Sequence, residues 1–145
     1  MENKFIIGEN EIASSDILDL NHLMNQIKPL TFPADWRFAR EFMQTGIIIS
    51  VRDSSKNNML IGIGMLVPIR KPRGFYGSIE EVVVDEEYRG KGLGKKIVQT
   101  LIQKSVSLKM KCVDLKSSSK REVANRIYRS LGFKIVDSNL YRFKI

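Results

Sequence analysis

Val82-Val83-Val84-Asp85-Glu86-Glu87-Tyr88-Arg89-Gly90-Lys91-Gly92-Leu93-Gly94-Lys95-Lys96 passes from a β-branched run through three alternating glycines into helix-forming residues. The valines favour a strand, and the change to Leu, Lys and Ile predicts a helix starting near Gly92. Glycines between two such elements let backbone N–H groups approach a ligand closely, and the helix N-terminus adds partial positive charge. The turn therefore suits a phosphate or pyrophosphate, and Lys91, Lys95 and Lys96 reinforce the sign. Its G-x-G-x-G spacing is neither the dinucleotide G-x-G-x-x-G nor a P-loop, which needs an earlier glycine and a Ser or Thr after the lysine. The bland alternative is that the glycines only close a tight turn, but three of them would cost helix stability without an evident structural need.

The elements on either side set this turn in an α/β chain. Upstream, Phe5 to Gly8 reads as a strand, and Ser15 as the N-cap of a helix with the stripe Ile17, Leu20, Met24, Ile27 that ends before Pro29. A short helix runs from Ala34 or Asp35 to Met43, and Gly46 stops it. Ile47 to Arg52 and Met59 to Pro68 read as a hairpin turned by Asp53 to Asn58, and Ser78 to Val84 as a third strand after the Gly and Pro punctuation of Lys71 to Gly77. Downstream come a long helix to about Lys109, a strand at Cys112 to Leu115, and a helix from about Lys120 to Leu131. Phe133 to Val136 and Leu140 to Lys144 read as closing strands. This order predicts a mixed sheet with helices on both faces.

The 145 residues fit one domain, 1–145, with a 43% hydrophobic and 28% charged composition suited to a folded globular chain. No apolar stretch is long enough to span a bilayer and Met1-Glu2-Asn3-Lys4 lacks a signal-peptide pattern, so a cytoplasmic location and no membrane partner are expected. One cysteine, Cys112, and one histidine, His22, leave no internal disulfide and no Cys/His zinc set, and no metal is expected. Cys112, in a short apolar strand, is read as an inert buried thiol, and His22, off its helix stripe, as a surface residue. The charge is split: residues 1–88 hold 9 basic and 13 acidic residues, a balance of −4, while residues 89–145 hold 15 and 3, a balance of +12. The basic half faces an anionic partner, and the field alone does not say which.

Arg89-Gly90-Lys91-Gly92-Leu93-Gly94 resembles the signature of the GNAT superfamily of N-acyltransferases, Arg or Gln, two residues, Gly, one residue, Gly or Ala. Ala124-Asn125-Arg126-Ile127-Tyr128-Arg129-Ser130-Leu131-Gly132-Phe133 resembles the same family's A-x-x-x-Y-x-x-x-G-F helix and strand, at the usual separation. The resemblance covers roughly residues 47 to 143, and the first 45 residues match only in the order of elements. It implies a mixed central sheet of about six to seven strands with helices on both faces and the coenzyme between two splayed parallel strands. Acceptor-side helices would occupy about residues 1–45, and the acetyl-coenzyme A core about residues 78–133. Acetyl-coenzyme A is the implied acyl donor, held along Val82, Val83 and Val84 and by Arg89, Gly90, Lys91, Gly92, Leu93, Gly94 and Lys95. Where many relatives carry an asparagine, seven residues before the tyrosine, this chain has Arg121, so that residue or Asn125 one turn on is a candidate for the missing contact.

Amine acylation needs an amine stripped of its proton, an oxyanion stabiliser and a proton for the departing thiolate. Glu80 and Glu81, beside the expected thioester, are the base candidates, and the triplet Ile79-Glu80-Glu81 resembles the acidic pair of polyamine and glucosamine-phosphate acetyltransferases. Adjacent strand residues face opposite ways, so without a bulge only one can meet the acceptor, and Glu80 is favoured. A backbone N–H at Val82 or Val83 is the oxyanion donor that the resemblance implies. Tyr128 is the proton donor by resemblance, although periodicity alone would place it in the core.

Three functions compete: a direct-attack N-acetyltransferase, a basic nucleic-acid module, and a domain that only senses acyl-coenzyme A. The second explains the charge but not the glycine spacing, and the aromatics are too scattered for a base-stacking platform, so no specific nucleic acid is expected. The charge split suggests a cationic amine acceptor, a small polyamine-like molecule or a polypeptide amine, near Glu80, Glu81, Glu41, Asp35, Trp36 and Phe38. The contrary case is an Arg-lined pocket, at Arg37, Arg40 or Arg73, for an amino sugar phosphate or amino acid. A homodimer is left open.

Overall fold

The computed structural model describes residues 4–30 and 33–145. Met1 to Asn3, read above for a leader, lie outside the described residues. The elements run β1 (Phe5–Glu9), α1 (Ile17–Ile27), α2 (Trp36–Thr45), β2 (Ile47–Asp53), β3 (Met59–Lys71), β4 (Gly74–Val84), α3 (Leu93–Ser107), β5 (Val113–Leu115) and α4 (Glu122–Ser130). Among the described residues they form one sheet in the order β1-β2-β3-β4-β5, antiparallel until β4, with β5 parallel to β4.

Two apolar clusters occupy the two sheet faces. Ile49, Val51, Ile61 and Ile79 pack under Ile97, Val98 and Leu101 of α3 and Tyr128 of α4. On the other face Ile48, Leu60, Ile63, Met65 and Val83 pack with Leu20 and Leu23 of α1 and Ala39 of α2. The residues that alternate along each strand supply one face each, as the pleat requires. Asp35 caps α2 by accepting from Phe38 N at 2.8 Å, but Ser15 does not cap α1. That end is held by Asp16, which accepts from Ala13 N and takes both Arg52 guanidinium nitrogens at 2.7 Å each.

Two further expectations are corrected. The stretch Lys71 to Gly77 is no loop: β3 runs to Lys71 and β4 restarts at Gly74, so Pro72 and Arg73 turn a long hairpin. Gly74 takes φ +144°, a value that side chains rarely adopt, and Arg70 stacks on Phe75 at 4.0 Å from the ring centre. The sheet has five strands among the described residues, not six to seven, because Phe133 to Val136 and Leu140 to Lys144 form no strand and make no strand pairing among them.

Candidate active site

β4 and β5 pair only over Gly77–Ile79 and Val113–Leu115, while β4 continues to Val84 without a neighbour on that side. The parallel strands thus part below the glycine turn. A cleft of about 680 Å³ opens there, lined by Val82, Val83 and Val84 on one wall and by Arg121, Ile127 and Tyr128 on the other. Arg89, Gly90, Gly92, Leu93, Gly94 and Lys95 form its end, and Lys120 adds a further cation.

The turn needs its glycines for two different reasons. Gly90 and Gly92 both have φ +76°, and a Cβ built on either would meet no atom within 4 Å. Conformation requires glycine there, and the open space beside it is what an anion needs to reach the amides. Gly94 lies inside α3, where a Cβ would meet only Val84 Cγ2 at 3.8 Å. Lys91 is not on the cleft wall; its Nζ stands 4.9 Å from the Tyr88 ring centre.

A bulge interrupts β4 at the two glutamates. Met65 faces Glu80 and Ile63 faces Val83, so Glu81 and Val82 together oppose Gly64, and Glu81 takes φ +53°. Residues directly opposite in an antiparallel pair share a face. Glu80 therefore lies on the Met65 side, toward α1 and α2, while Ile79 opposite Leu66 lies toward α3. Beyond the bulge the phase has slipped, and Val82 and Val84 join Ile79 on the α3 side. Glu80 accepts from Ser78 Oγ, and Glu81 is exposed.

Tyr128 is 8% exposed, with its ring edge-on to Phe133 at 6.1 Å, and no side chain among the described residues accepts from its hydroxyl. Burial raises its pKa, and the Arg121 charge partly opposes the rise. The phenol stays protonated at neutral pH and faces the cleft. Asn125 is turned away: its Nδ2 donates to Ser118 O at 2.8 Å and it is not on the wall.

Sequence reasoning missed the clasp behind the turn. Gln26 of α1 accepts from Glu86 N at 3.0 Å and from Arg89 Nη2 at 3.1 Å, and it also lines the cleft. Asp85, buried, accepts from Glu87 N at 2.9 Å and contacts His22 Nε2 at 2.9 Å. His22 is on the surface as expected, yet it ties α1 to the turn. Only Asp85 left a sequence signal, a short acid placed before a turn where it can cap the next amides. Cys112 is exposed rather than buried, because β5 is the edge strand and Cys112 precedes its first residue.

A sheet split at a glycine-rich turn, with a buried tyrosine across the gap, defines an α/β domain with an open cleft between its parted strands. Residues 17–133 match the acetyltransferase (GNAT) family, and the chain belongs to it. It is 30% identical over 132 residues to a glucosamine 6-phosphate N-acetyltransferase of Trypanosoma brucei brucei, covering 89% of this chain and 86% of that one. It is also 30% identical over 106 residues to a probable glucosamine 6-phosphate N-acetyltransferase of Drosophila melanogaster, covering 71% of this chain but spanning only 47% of the relative's length. Among solved structures, glucosamine-6-phosphate N-acetyltransferase from Arabidopsis thaliana superposes with TM-score 0.81 at 24% identity, over 97% of this chain and 99% of the other. A Trypanosoma brucei acetyltransferase superposes with TM-score 0.78 at 25% identity, over the same shares. The GNAT family uses acetyl-coenzyme A as donor. Among the described residues no group of His, Cys, Asp and Glu could hold a metal, and no helix is long and apolar enough to cross a membrane.

Proposed function

We propose that this chain transfers the acetyl group of acetyl-coenzyme A to the primary amine of an amino sugar phosphate, by direct attack with donor and acceptor bound together. The observation that carries the donor half is the open space over Gly90 and Gly92, in a cleft where Lys95, Lys120 and Arg121 add positive charge. The acceptor half rests on two relatives at 30% identity whose names specify glucosamine 6-phosphate. They favour a phosphorylated amine over the cationic one suggested by the charge split.

In this reading the amides of residues 90–95 hold the pyrophosphate, and Val82 to Val84 offer backbone groups to the pantetheine arm. Glu80, on the α1 and α2 face where the acceptor enters, takes the proton of the ammonium through a water. The amine nitrogen attacks the thioester carbon, and the N–H of Val82 or Val83 stabilises the oxyanion. The C–S bond then breaks, and the Tyr128 hydroxyl protonates the thiolate; the two protons balance, one leaving on Glu80 and one arriving from Tyr128. Arg121 lies where it can meet a phosphate of the donor, and Asn125 serves by holding the Ser118 loop in place.

Thiol release from acetyl-coenzyme A, followed with glucosamine 6-phosphate, spermidine, a lysine peptide and a free amino acid, tests the acceptor. Faster turnover of spermidine or the peptide than of glucosamine 6-phosphate would return the acceptor to the cationic class.

A further inference from the structure

His22 and Gln26 lie one turn apart on α1 and reach the same carboxylate oxygen. Asp85 Oδ2 stands 2.9 Å from His22 Nε2 and 3.3 Å from Gln26 Nε2, and the two nitrogens are 2.9 Å from each other. The other end of the Gln26 amide is fixed. Its Oε1 accepts from Glu86 N at 3.0 Å and from Arg89 Nη2 at 3.1 Å, and neither of those groups can accept in return. The amide nitrogen therefore faces His22 and Asp85 with two hydrogens to give.

A neutral imidazole with its hydrogen on Nδ1 suits this arrangement, because Nε2 accepts one amide hydrogen and Asp85 takes the other. An imidazolium does not. Its Nε2–H donates to Asp85 and then meets the Gln26 N–H donor to donor at 2.9 Å. Turning the amide over restores nothing, since its NH2 would meet two more donors, Glu86 N and Arg89 Nη2. Protonation of His22 thus opens the clasp. Asp85 is held without His22: its N donates to Ile61 O at 2.8 Å and its Oδ1 accepts from Glu87 N at 2.9 Å. An ion pair at Asp85 therefore does not replace the lost hold on Arg89, the residue next to Gly90.

His22 is the single histidine of the chain, and its side chain is 62% exposed, so solvent protons reach it. The charged groups around it are Asp85 in contact, Glu86, Glu87 and Arg89 in the turn that follows, and Asp19 on its own helix, whose Oδ2 accepts from Leu60 N at 3.1 Å. The strands beneath α1 meet it with the apolar Leu60, Ile63, Met65 and Val83.

We infer that His22 is a positioning residue for the coenzyme turn: neutral, it keeps the Gln26 amide on Glu86 and Arg89, and protonated, it releases that amide and weakens coenzyme binding. This rests on the reading that the turn from Gly90 to Lys95 holds the pyrophosphate. Affinity is full where His22 is neutral and is lost as pH falls through the range where imidazoles titrate, from about pH 8 to about pH 5.

Isothermal titration with coenzyme A compares the wild type with His22→Gln, whose amide oxygen accepts near the place of Nε2 and takes no proton. Over that range the wild-type Kd should rise roughly three- to tenfold more than the variant's, the weight of one ordinary hydrogen bond. The comparison cancels the titration of the coenzyme's own 3′-phosphate, a monoester with a second pKa of about 6. A second reading needs no variant: 3′-dephospho-coenzyme A lacks that group, so its binding to the wild type at about pH 6 should release protons, read as a heat that changes with the ionisation enthalpy of the buffer. Equal pH dependence in the wild type and His22→Gln would overturn the inference, as would binding of the dephospho form without proton release. Gly92→Val tests the turn itself: binding lost there, beside a His22→Gln that tracks the wild type, would remove His22 alone, and binding unchanged there would remove the turn and His22 with it.

Discussion

The hydroxyl of Tyr88 donates to Oδ2 of Asp53 at 2.9 Å, joining the residue just before the glycine turn to the end of β2. Both are buried. Burial on its own would raise the Asp53 pKa, but bonds from Ser55, Tyr88 and Lys4 outweigh it and hold the value at about 2. A carboxyl depressed in the folded state contributes stability above its unfolded pKa of about 3.9. That contribution is lost as pH falls from about 4 through about 2. Tyr88→Phe removes one of the bonds that depress the pKa, so acid unfolding followed by circular dichroism should move to higher pH. An unchanged acid transition would show that the bond does not hold the turn.

Gly92→Val should abolish most of the melting-temperature rise caused by acetyl-coenzyme A, which at 100 times Kd is worth about 2.7 kcal/mol. The backbone at φ +76° disfavours a β-branched residue, and the side chain would stand in the space the anion needs. Gly94→Ala is the matched control, since its Cβ makes only an ordinary contact with Val84. Equal ligand-induced shifts in the wild type and Gly92→Val would remove the turn from the binding site.

Tyr128→Phe should lower kcat by roughly 10²- to 10⁴-fold with little change in coenzyme affinity, because loss of a general acid acts in the transition state. Burial raises the Tyr128 pKa and Arg121 partly opposes it. The alkaline fall in kcat is thus expected above pH ~10, the ordinary tyrosine value. Arg121→Ala, by removing the opposing charge, should push it higher still. Full turnover in Tyr128→Phe would make the residue a core tyrosine and nothing more.

Glu80→Gln should lower kcat/KM and move its rise with pH upward, because the amine must then lose its proton to solvent. Glu81→Gln should change the profile little, since the bulge leaves Glu81 exposed while Glu80 shares the face of α1 and α2. The reverse pair of results would exchange the two assignments.

Gln26→Ala should weaken acetyl-coenzyme A binding severalfold while leaving kcat close to normal. It removes the acceptor shared by Glu86 N and Arg89 Nη2, which holds the turn against α1 without touching the reacting atoms. Isothermal titration beside steady-state kinetics separates the two effects, and unchanged affinity would reduce the clasp to a fold contact.

Residues 82–96 could be read because strand, turn and helix each leave a local mark there, and the structure shows all three in place. The bulge could not, since Glu81 takes φ +53° without a glycine to announce it, and register depends on the partner strand. The hairpin of β3 and β4 was read short because Pro72 and Gly74 punctuate a turn of two residues, and Gly77 continues a strand it would be expected to break. Gln26 carries no pattern of its own: it is a polar residue on a helix whose opposite stripe is apolar, and only the fold brings it to Arg89. Residues 134–145 show the limit from the other side, because alternation predicts a strand but never names its partner.

We propose that the cleft between β4 and α4 supports acetyl transfer to an amino sugar phosphate. Its most direct measurement is the release of coenzyme A thiol from acetyl-coenzyme A with glucosamine 6-phosphate, counted against N-acetylated product by mass spectrometry. One thiol per product formed is expected, with turnover that Tyr128→Phe nearly abolishes. Binding of acetyl-coenzyme A with no thiol release for glucosamine 6-phosphate or any amine of the panel would contradict it.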